Sequence, residues 1–125
     1  MQAVDYSAVT AVIIRSFENP ELEQASQALA RGTNAPAVQA TRRGYKTGEQ
    51  IEVVFANARG NSTDWIALAE KGAANDSFVE WQYIEGQETG YRVFPDGLSE
   101  PGEYEVRLFW NDGYTMGDSY DITVE

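Results

Sequence analysis

The 125-residue sequence contains no cysteine and no histidine. Without cysteine the chain forms no disulfide, and without both residues it cannot build the common zinc sites. The same absences exclude histidine-assisted serine or cysteine catalysis and general acid–base catalysis by an imidazole. They do not settle the compartment, because disulfides mark oxidising compartments without being required there.

Positive charge is scarce. Nine Lys and Arg residues stand against 20 Asp and Glu residues, which gives a formal net charge of −11 at pH 7. Such a surface repels phosphate backbones, so we expect no nucleic-acid partner. It is compatible with Ca²⁺, with basic partners or with solubility in salty surroundings, and a solvated acidic face is the simplest interpretation.

Long apolar runs are also missing. The longest covers residues 9–14, is interrupted by Thr10, and is far shorter than the roughly 20 residues of a membrane helix. We therefore expect no membrane insertion, and the first residues do not have the pattern of a signal peptide. The hydrophobic content of 42% and charged content of 23% are those of one globular domain.

Residues 1–36 have a mostly helical pattern and are expected to form a helical segment with a linker. Asp5 can cap a helix whose apolar positions are Val9, Val12, Ile13 and Phe17. The β-branched residues in 9–14 support a strand as the alternative. Asn19 and Pro20 are typical of an N-cap and first helical residue, and Gly32 is a natural end. This segment packs on the following domain, self-associates or, as we favour, ends a preceding domain.

From residue 37 onward, short apolar stretches alternate with turn residues. This pattern predicts seven strands, at residues 37–41, 50–56, 65–70, 78–84, 90–94, 104–110 and 120–125. Seven strands within residues 37–125 match an immunoglobulin-type unit. The predicted fold class is therefore mainly β, an immunoglobulin-like antiparallel β-sandwich preceded by a short helical segment.

Alternation within these strands predicts the core. The inward residues are expected to be Ile51, Val53, Phe55, Tyr104, Val106, Leu108, Trp110, Ile122 and Val124. Three residues have expected structural roles. Trp65 is predicted to fill the centre of the core, and Asp64 to pin the preceding loop by accepting backbone N–H groups. Tyr104 is predicted to form a tyrosine corner, with its hydroxyl bound to a backbone group.

Five aromatic residues are the candidates for a ligand-binding surface: Trp81, Tyr83, Tyr91, Trp110 and Tyr114. Sugar rings stack on exposed aromatic faces, and protein hot spots favour the same residues. The competing interpretation is that these rings are core. Trp81 and Tyr83 share a face with Val79, which we expect to be the buried face, and Trp110 ends an apolar row.

The segment Asn111-Asp112-Gly113 predicts a tight hairpin turn, with Asp-Gly supplying the positive φ angles. Asp112 and Asp118, with Asp76 or Asp121, are also candidate oxygen ligands for Ca²⁺. The spacing of an EF-hand loop is absent, which favours the turn over the metal site. No other cofactor is expected.

Several motifs together resemble a known group of modules. They are Tyr45-Lys46-x-Gly48-Glu49-x-Ile51, Gly60-Asn61-x-x-Asp64-Trp65-Ile66, Trp81-Gln82-Tyr83, Gly102-Glu103-Tyr104 and Asn111-Asp112-Gly113-Tyr114. Residues 38–125 resemble the small immunoglobulin-like modules attached to bacterial phosphoesterases and caspase-like peptidases, and more distantly the SKICH-type sandwich. Ala67 stands where those modules often have glycine. The resemblance implies an accessory module, exported or at the bacterial cell surface, that binds carbohydrate, cell wall or protein.

The expected function is a non-catalytic accessory binding module for a glycan or a protein surface. Its expected partner is that surface, or a neighbouring catalytic domain within a larger, enzymatic protein. The alternatives are a structural spacer without a ligand and a Ca²⁺-dependent adhesion module. Catalysis is not expected, because carboxylates such as Glu80 with Glu103 or Glu105 are not distinguished by spacing from solvated strand faces.

Overall fold

The computed structural model describes residues 19–125, which form one helix and eight strands. The helix predicted after Asp5, and its alternative strand at 9–14, lie outside the described residues. The elements are α1 (Pro20–Gly32), β1 (Ala37–Ala40), β2 (Gly44–Tyr45), β3 (Ile51–Ala56), β4 (Trp65–Glu70), β5 (Glu80–Tyr83), β6 (Gly90–Phe94), β7 (Gly102–Phe109) and β8 (Met116–Val124). Within this part of the chain, α1 is too short and too polar to cross a membrane.

The strands form two sheets, which confirms the predicted β-sandwich. One sheet has the order β1-β3-β6 and the other the order β2-β8-β7-β4-β5. The order β8-β7-β4 corresponds to strands G, F and C of an immunoglobulin-type sandwich, with β5 added beside β4 and β2 beside β8. The three-stranded sheet has one strand fewer than the four-stranded sheet of the constant type. The sequence pattern missed β2, whose two residues are too few to alternate. Because β2 pairs in parallel with β8, the sandwich is not purely antiparallel.

The core between the sheets contains every residue that alternation predicted to face inward. Trp65 is the exception among the predicted core residues. Its neighbours Ile66 and Leu68 face the core between the sheets, whereas Trp65 lies in a separate buried cluster with Ala67 and Phe109. Successive side chains on a strand point to opposite faces. Trp65 is therefore on the outer face of the five-stranded sheet, and its predicted place in the central core is wrong.

Helix α1 covers the outer face of the three-stranded sheet. Its start agrees with the sequence, because the Asn19 Oδ1 atom accepts the backbone N–H of Leu22 at 3.1 Å and Pro20 follows the cap. The helix packs against β3 and β6, and the outward-facing Val54 and Ala56 of β3 are buried. Of the arrangements considered for residues 1–36, packing on the sandwich is the one that α1 adopts.

The predicted tyrosine corner is present at the start of β7. The hydroxyl of Tyr104 donates a hydrogen bond to the carbonyl of Glu100 at 2.8 Å, and the side chain is 5% exposed. This bond joins β7 to the connection that crosses from the other sheet. Burial raises the pKa of the Tyr104 phenol, since it disfavours the ionised form.

A β-bulge at Gly117 lets Trp110 enter the core. Leu108 pairs with Asp118 while Phe109 pairs with Met116, so Gly117 is the extra residue of β8. A Cβ atom added to Gly117 would clash with the indole ring of Trp110. The close approach of backbone to ring therefore requires glycine at this position.

Replacing Gly117 by alanine should lower the free energy of unfolding by about 1–3 kcal/mol, because the methyl group overpacks the site. Gly44→Ala is the matched control: it also lies in a strand of the same sheet, and its added Cβ meets nothing within 4 Å. Urea denaturation followed by circular dichroism measures both. Equal stabilities for the two variants would contradict the packing of Trp110 against Gly117.

Tyr104→Phe should lower the free energy of unfolding by about 1 kcal/mol, the net value of one hydrogen bond. Tyr120→Phe serves as the control, because its hydroxyl makes no hydrogen bond to any of residues 19–125 although its ring packs against the core. The same denaturation experiment applies. A loss of the same size in both variants would show that the corner bond contributes nothing specific.

Candidate functional site

The outer face of the five-stranded sheet carries a continuous aromatic surface. Trp65 of β4 lies directly opposite Phe109 of β7 on one side and Tyr83 of β5 on the other, and Ala67 lies opposite Trp81. Residues opposite each other in an antiparallel ladder share a face and interact. The four rings are therefore neighbours on one face, with the small Ala67 leaving room for the larger Trp81.

Helix α1 covers the outer face of the three-stranded sheet, but no helix among residues 19–125 covers the outer face of the five-stranded sheet. The exposed large hydrophobic side chains in this part of the chain come from two places. Phe78, Val79, Trp81 and Tyr83 lie in β5 or just before it, and Tyr114 and Met116 lie in the β7–β8 connection and at the start of β8. Their exposed fractions range from 37% to 54%. An apolar surface concentrated in one region is typical of an interaction site.

The rings form an open cleft with Trp65 at its floor. Trp81 and Tyr114 stand nearly perpendicular to Trp65, at interplanar angles of 80° and 82° and centroid distances of 6.0 and 6.1 Å. Phe78 approaches Trp65 edge-on at 5.2 Å. We call the resulting space the aromatic cleft. It has a volume of about 190 Å³ and is lined by Trp65, Phe78, Trp81, Tyr83, Asp112 and Tyr114.

The buried Asp64 holds together the two loops at this end of the sheet. Its Oδ2 atom accepts the backbone N–H of Asn61 at 3.1 Å, as the sequence predicted for the preceding loop. Its Oδ1 atom accepts the Asn61 side-chain amide at 3.1 Å and the backbone N–H of Asn111 at 2.9 Å. The bond to Asn111 was not predicted. It fixes the β7–β8 turn against the loop before β4.

The β7–β8 turn is of type I′. The φ angles of Asn111 and Asp112 are 52° and 59°, and the N–H of Gly113 donates to the carbonyl of Trp110 at 2.8 Å. The predicted hairpin turn is therefore present, but Asn-Asp rather than Asp-Gly supplies the positive φ angles. The Trp65 Nε1–H donates to the carbonyl of Gly113 at 3.1 Å, which holds the turn beside the cleft.

This turn places Asp112 next to Tyr83. The Tyr83 hydroxyl donates to the Asp112 Oδ1 atom at 2.7 Å. A hydrogen bond from the neutral phenol to a carboxylate favours the protonated phenol, so it raises the pKa of Tyr83. The Oδ2 atom of Asp112 receives no hydrogen bond from any of residues 19–125, and Asp112 is one of the residues that line the cleft.

The connection between β4 and β5, residues 71–79, is anchored along its length. The Arg107 Nη1–H donates to the carbonyl of Ala74 at 3.2 Å, and its Nε–H pairs with Glu105 at 2.9 Å. The Asn75 side-chain amide donates to the carbonyl of Tyr114 at 3.0 Å. The bonds to Ala74 and from Asn75 hold the connection against the sheet, and Phe78 in this connection lies at the cleft.

Of the five predicted binding residues, the structure brings together Trp81, Tyr83 and Tyr114. The expectation that Trp81 and Tyr83 share a buried face is wrong, because β5 is an edge strand whose outer face stays open. Trp110 is 5% exposed and belongs to the core between the sheets. Tyr91 lies on the other sheet, where its hydroxyl accepts the N–H of Asn19 at 3.0 Å.

Sequence reasoning missed Phe78, Trp65 and Phe109 as members of this surface. The signal lay in the alternation, since Phe109 is out of phase with Leu108 and Trp110, which face the core. An aromatic residue at an outward position of a central strand indicates a second apolar surface. Phe78 gave no comparable signal, because it lies in a connection rather than in a strand.

The two proposed Ca²⁺ ligands are not neighbours in a shared site. The Asp118 Oδ2 atom accepts the backbone N–H of Val38 at 2.9 Å and so links β8 to β1, whereas Asp112 bonds to Tyr83. Asp121 pairs with Lys71 at 2.9 Å. No group of three or more acidic residues suited to a metal occurs in the described part of the chain. The predicted ligand set is therefore not assembled.

Neither a family model nor a curated protein matches the sequence. Two of the solved structures that match this chain do so at low sequence identity. The alkylpurine DNA glycosylase AlkC of Pseudomonas fluorescens, bound to DNA with an abasic site analog, is 13% identical with a TM-score of 0.46; the match covers 81% of this chain and 33% of that one. The superoxide reductase (neelaredoxin) of Ignicoccus hospitalis is 19% identical with a TM-score of 0.38, covering 86% and 99%. The chain thus spans a third of the glycosylase.

Asp64→Ala should lower the free energy of unfolding by about 3 kcal/mol, because it leaves buried N–H groups without their charged acceptor. Asp96→Ala is the control, since Asp96 is exposed and its carboxylate accepts no hydrogen bond from residues 19–125. Urea denaturation provides the measurement. If both variants keep the stability of the parent chain, Asp64 does not hold the two loops.

Proposed function

We propose that this chain is a non-catalytic binding module that serves a larger protein and binds a partner protein through the aromatic cleft and its apolar rim. The observation that carries the proposal is the concentration of the exposed large hydrophobic side chains of residues 19–125 in this one region. Solvated surfaces rarely keep such residues together unless a partner covers them. The accessory role is supported by the resemblance of residues 38–125 to modules attached to enzymes.

A protein partner fits this surface better than a glycan. The polar side-chain groups of the cleft are one carboxylate, two tyrosine hydroxyls and two indole N–H groups. The hydroxyl of Tyr83 is already bound to Asp112, and the indole N–H of Trp65 to the carbonyl of Gly113. A sugar carries hydroxyl groups that need partners, and each one buried without a partner costs free energy. The rim residues Val79 and Met116 offer apolar contact instead. Exposed aromatic anchors in an apolar setting are typical of protein hot spots.

The position of β5 adds to this argument. β5 is the last strand of its sheet, and the N–H of Ile84 donates to the carbonyl of Asp64 across the β4–β5 pair at 3.0 Å. Backbone groups alternate in direction along a strand, so those of Trp81 point away from β4. The outward carbonyl of Tyr83 accepts the Nε–H of Arg92 at 3.1 Å. A partner that lies along β5 therefore reaches the rings and the outward backbone groups of Trp81, which resembles recognition by strand addition.

Selection of a displayed peptide library on the immobilised chain tests the proposal. We expect selected peptides to lose at least about tenfold in affinity for Trp81→Ala and for Tyr114→Ala, the size typical of hot-spot residues. Lys46→Ala is the control, because Lys46 is exposed and lies near the opposite end of β8. Both cleft residues are exposed, so thermal denaturation should show that the variants remain folded.

A glycan array with the same variants separates the alternatives. Binding of a glycan that depends on Trp81 and Tyr114 would overturn the protein partner while keeping the cleft as the binding site. The absence of binding on both the peptide library and the array would overturn the binding function and leave the spacer role.

A further inference from the structure

We infer that the aromatic cleft receives an organic cation, namely the alkylated ammonium group at the end of a lysine side chain of the partner. This inference rests on the proposed function and names the chemistry that the cleft recognises. It is carried by the arrangement of the rings, by the single charged group among them and by the size of the space.

The rings are oriented as a box rather than as a stack. Trp81 and Tyr114 rise from the floor formed by Trp65 at 80° and 82°, and Tyr83 is turned 84° from Trp81 at a centroid distance of 4.8 Å. A cation is attracted by the face of an aromatic ring when it lies within about 6 Å of the centroid. These centroid distances are those of rings in edge-to-face contact, and the same rings line one open space, so a cation in that space lies beside more than one of them.

The one charged residue of the lining favours a ligand of positive charge. Asp112 is the only charged residue among the lining residues, and its Oδ2 atom receives no hydrogen bond from residues 19–125. This carboxylate attracts a cation and repels an anion. The net charge of −11 raises the local concentration of positively charged partners over the whole surface.

The size and the aromatic walls of the cleft favour an alkylated ammonium over a plain one. A volume of about 190 Å³ suits a compact head group. An unmodified lysine ammonium is strongly hydrated, and aromatic walls cannot replace its water. Methyl groups on the nitrogen weaken that hydration and contact the ring faces, so a trimethylated lysine fits this lining better.

Titration of the chain with tetramethylammonium chloride at constant ionic strength tests the inference. The readout is the chemical shift of the indole N–H groups of Trp65 and Trp81, with tert-butanol as a neutral probe of similar shape. We expect a saturable shift with tetramethylammonium and at least about fivefold weaker binding of tert-butanol. Equal affinities for the two probes would overturn the inference.

Variants assign the interaction to the box. Tyr114→Phe keeps the ring and should keep the affinity, whereas Tyr114→Leu and Asp112→Asn should each weaken binding by about fivefold or more. Asp121→Asn is the matched control, because it removes an exposed carboxylate that pairs with Lys71 and does not line the cleft. An affinity that is unchanged in Asp112→Asn and Tyr114→Leu would contradict the inference.

A third set of ligands identifies the source of the cation. A short peptide with one trimethylated lysine should bind more tightly than choline and than the same peptide with unmodified lysine. Tighter binding of choline would overturn the lysine source. If no cation binds while peptides from the library still require Trp81 and Tyr114, the cation inference fails and the proposed function stands. If those peptides fail as well, both are wrong.

Discussion

The carboxylate of Asp64 is the interaction on which the functional end of this sandwich depends. It is completely buried, and it accepts hydrogen bonds from the loop before β4 and from the turn after β7. A buried charge is tolerated only where hydrogen bonds replace its water. Because the turn is fixed in this way, Asp112 meets Tyr83 and the cleft acquires its polar wall. A single satisfied carboxylate thus links fold stability to the shape of the surface.

The alternation of apolar residues was sufficient to predict the two layers and the residues between them. Strands at 65–70 and 90–94 have the predicted bounds, since turn residues end the apolar pattern on both sides. The error at Trp65 has a physical cause. All residues of β4 but Glu70 are buried, and a strand that is apolar on both faces does not reveal which set points inward. Only the register with β7 and β5 decides it.

The candidate site was predictable in part, for a related reason. The alternation of aromatic residues made Trp81 and Tyr83 candidates, and the position after the turn made Tyr114 a candidate. Whether these residues are exposed depends on what packs against the face of the sheet. The chain provides α1 for the three-stranded sheet and leaves the aromatic face of the other sheet open. The local sequence of the strands does not predict which of the two sheets the helix covers. Nor does it predict the place of Trp110, which enters the core where Gly117 has no side chain.

The residues of the cleft come from β4, from β5, from the β4–β5 connection and from the β7–β8 connection. They are joined by contacts between residues that are far apart in the chain. The bond from Asp64 to Asn111 spans 47 positions, and that from Trp65 to Gly113 spans 48. No short peptide copied from this sequence can therefore reproduce the cleft. The presence of the binding surface therefore reports a fully folded domain.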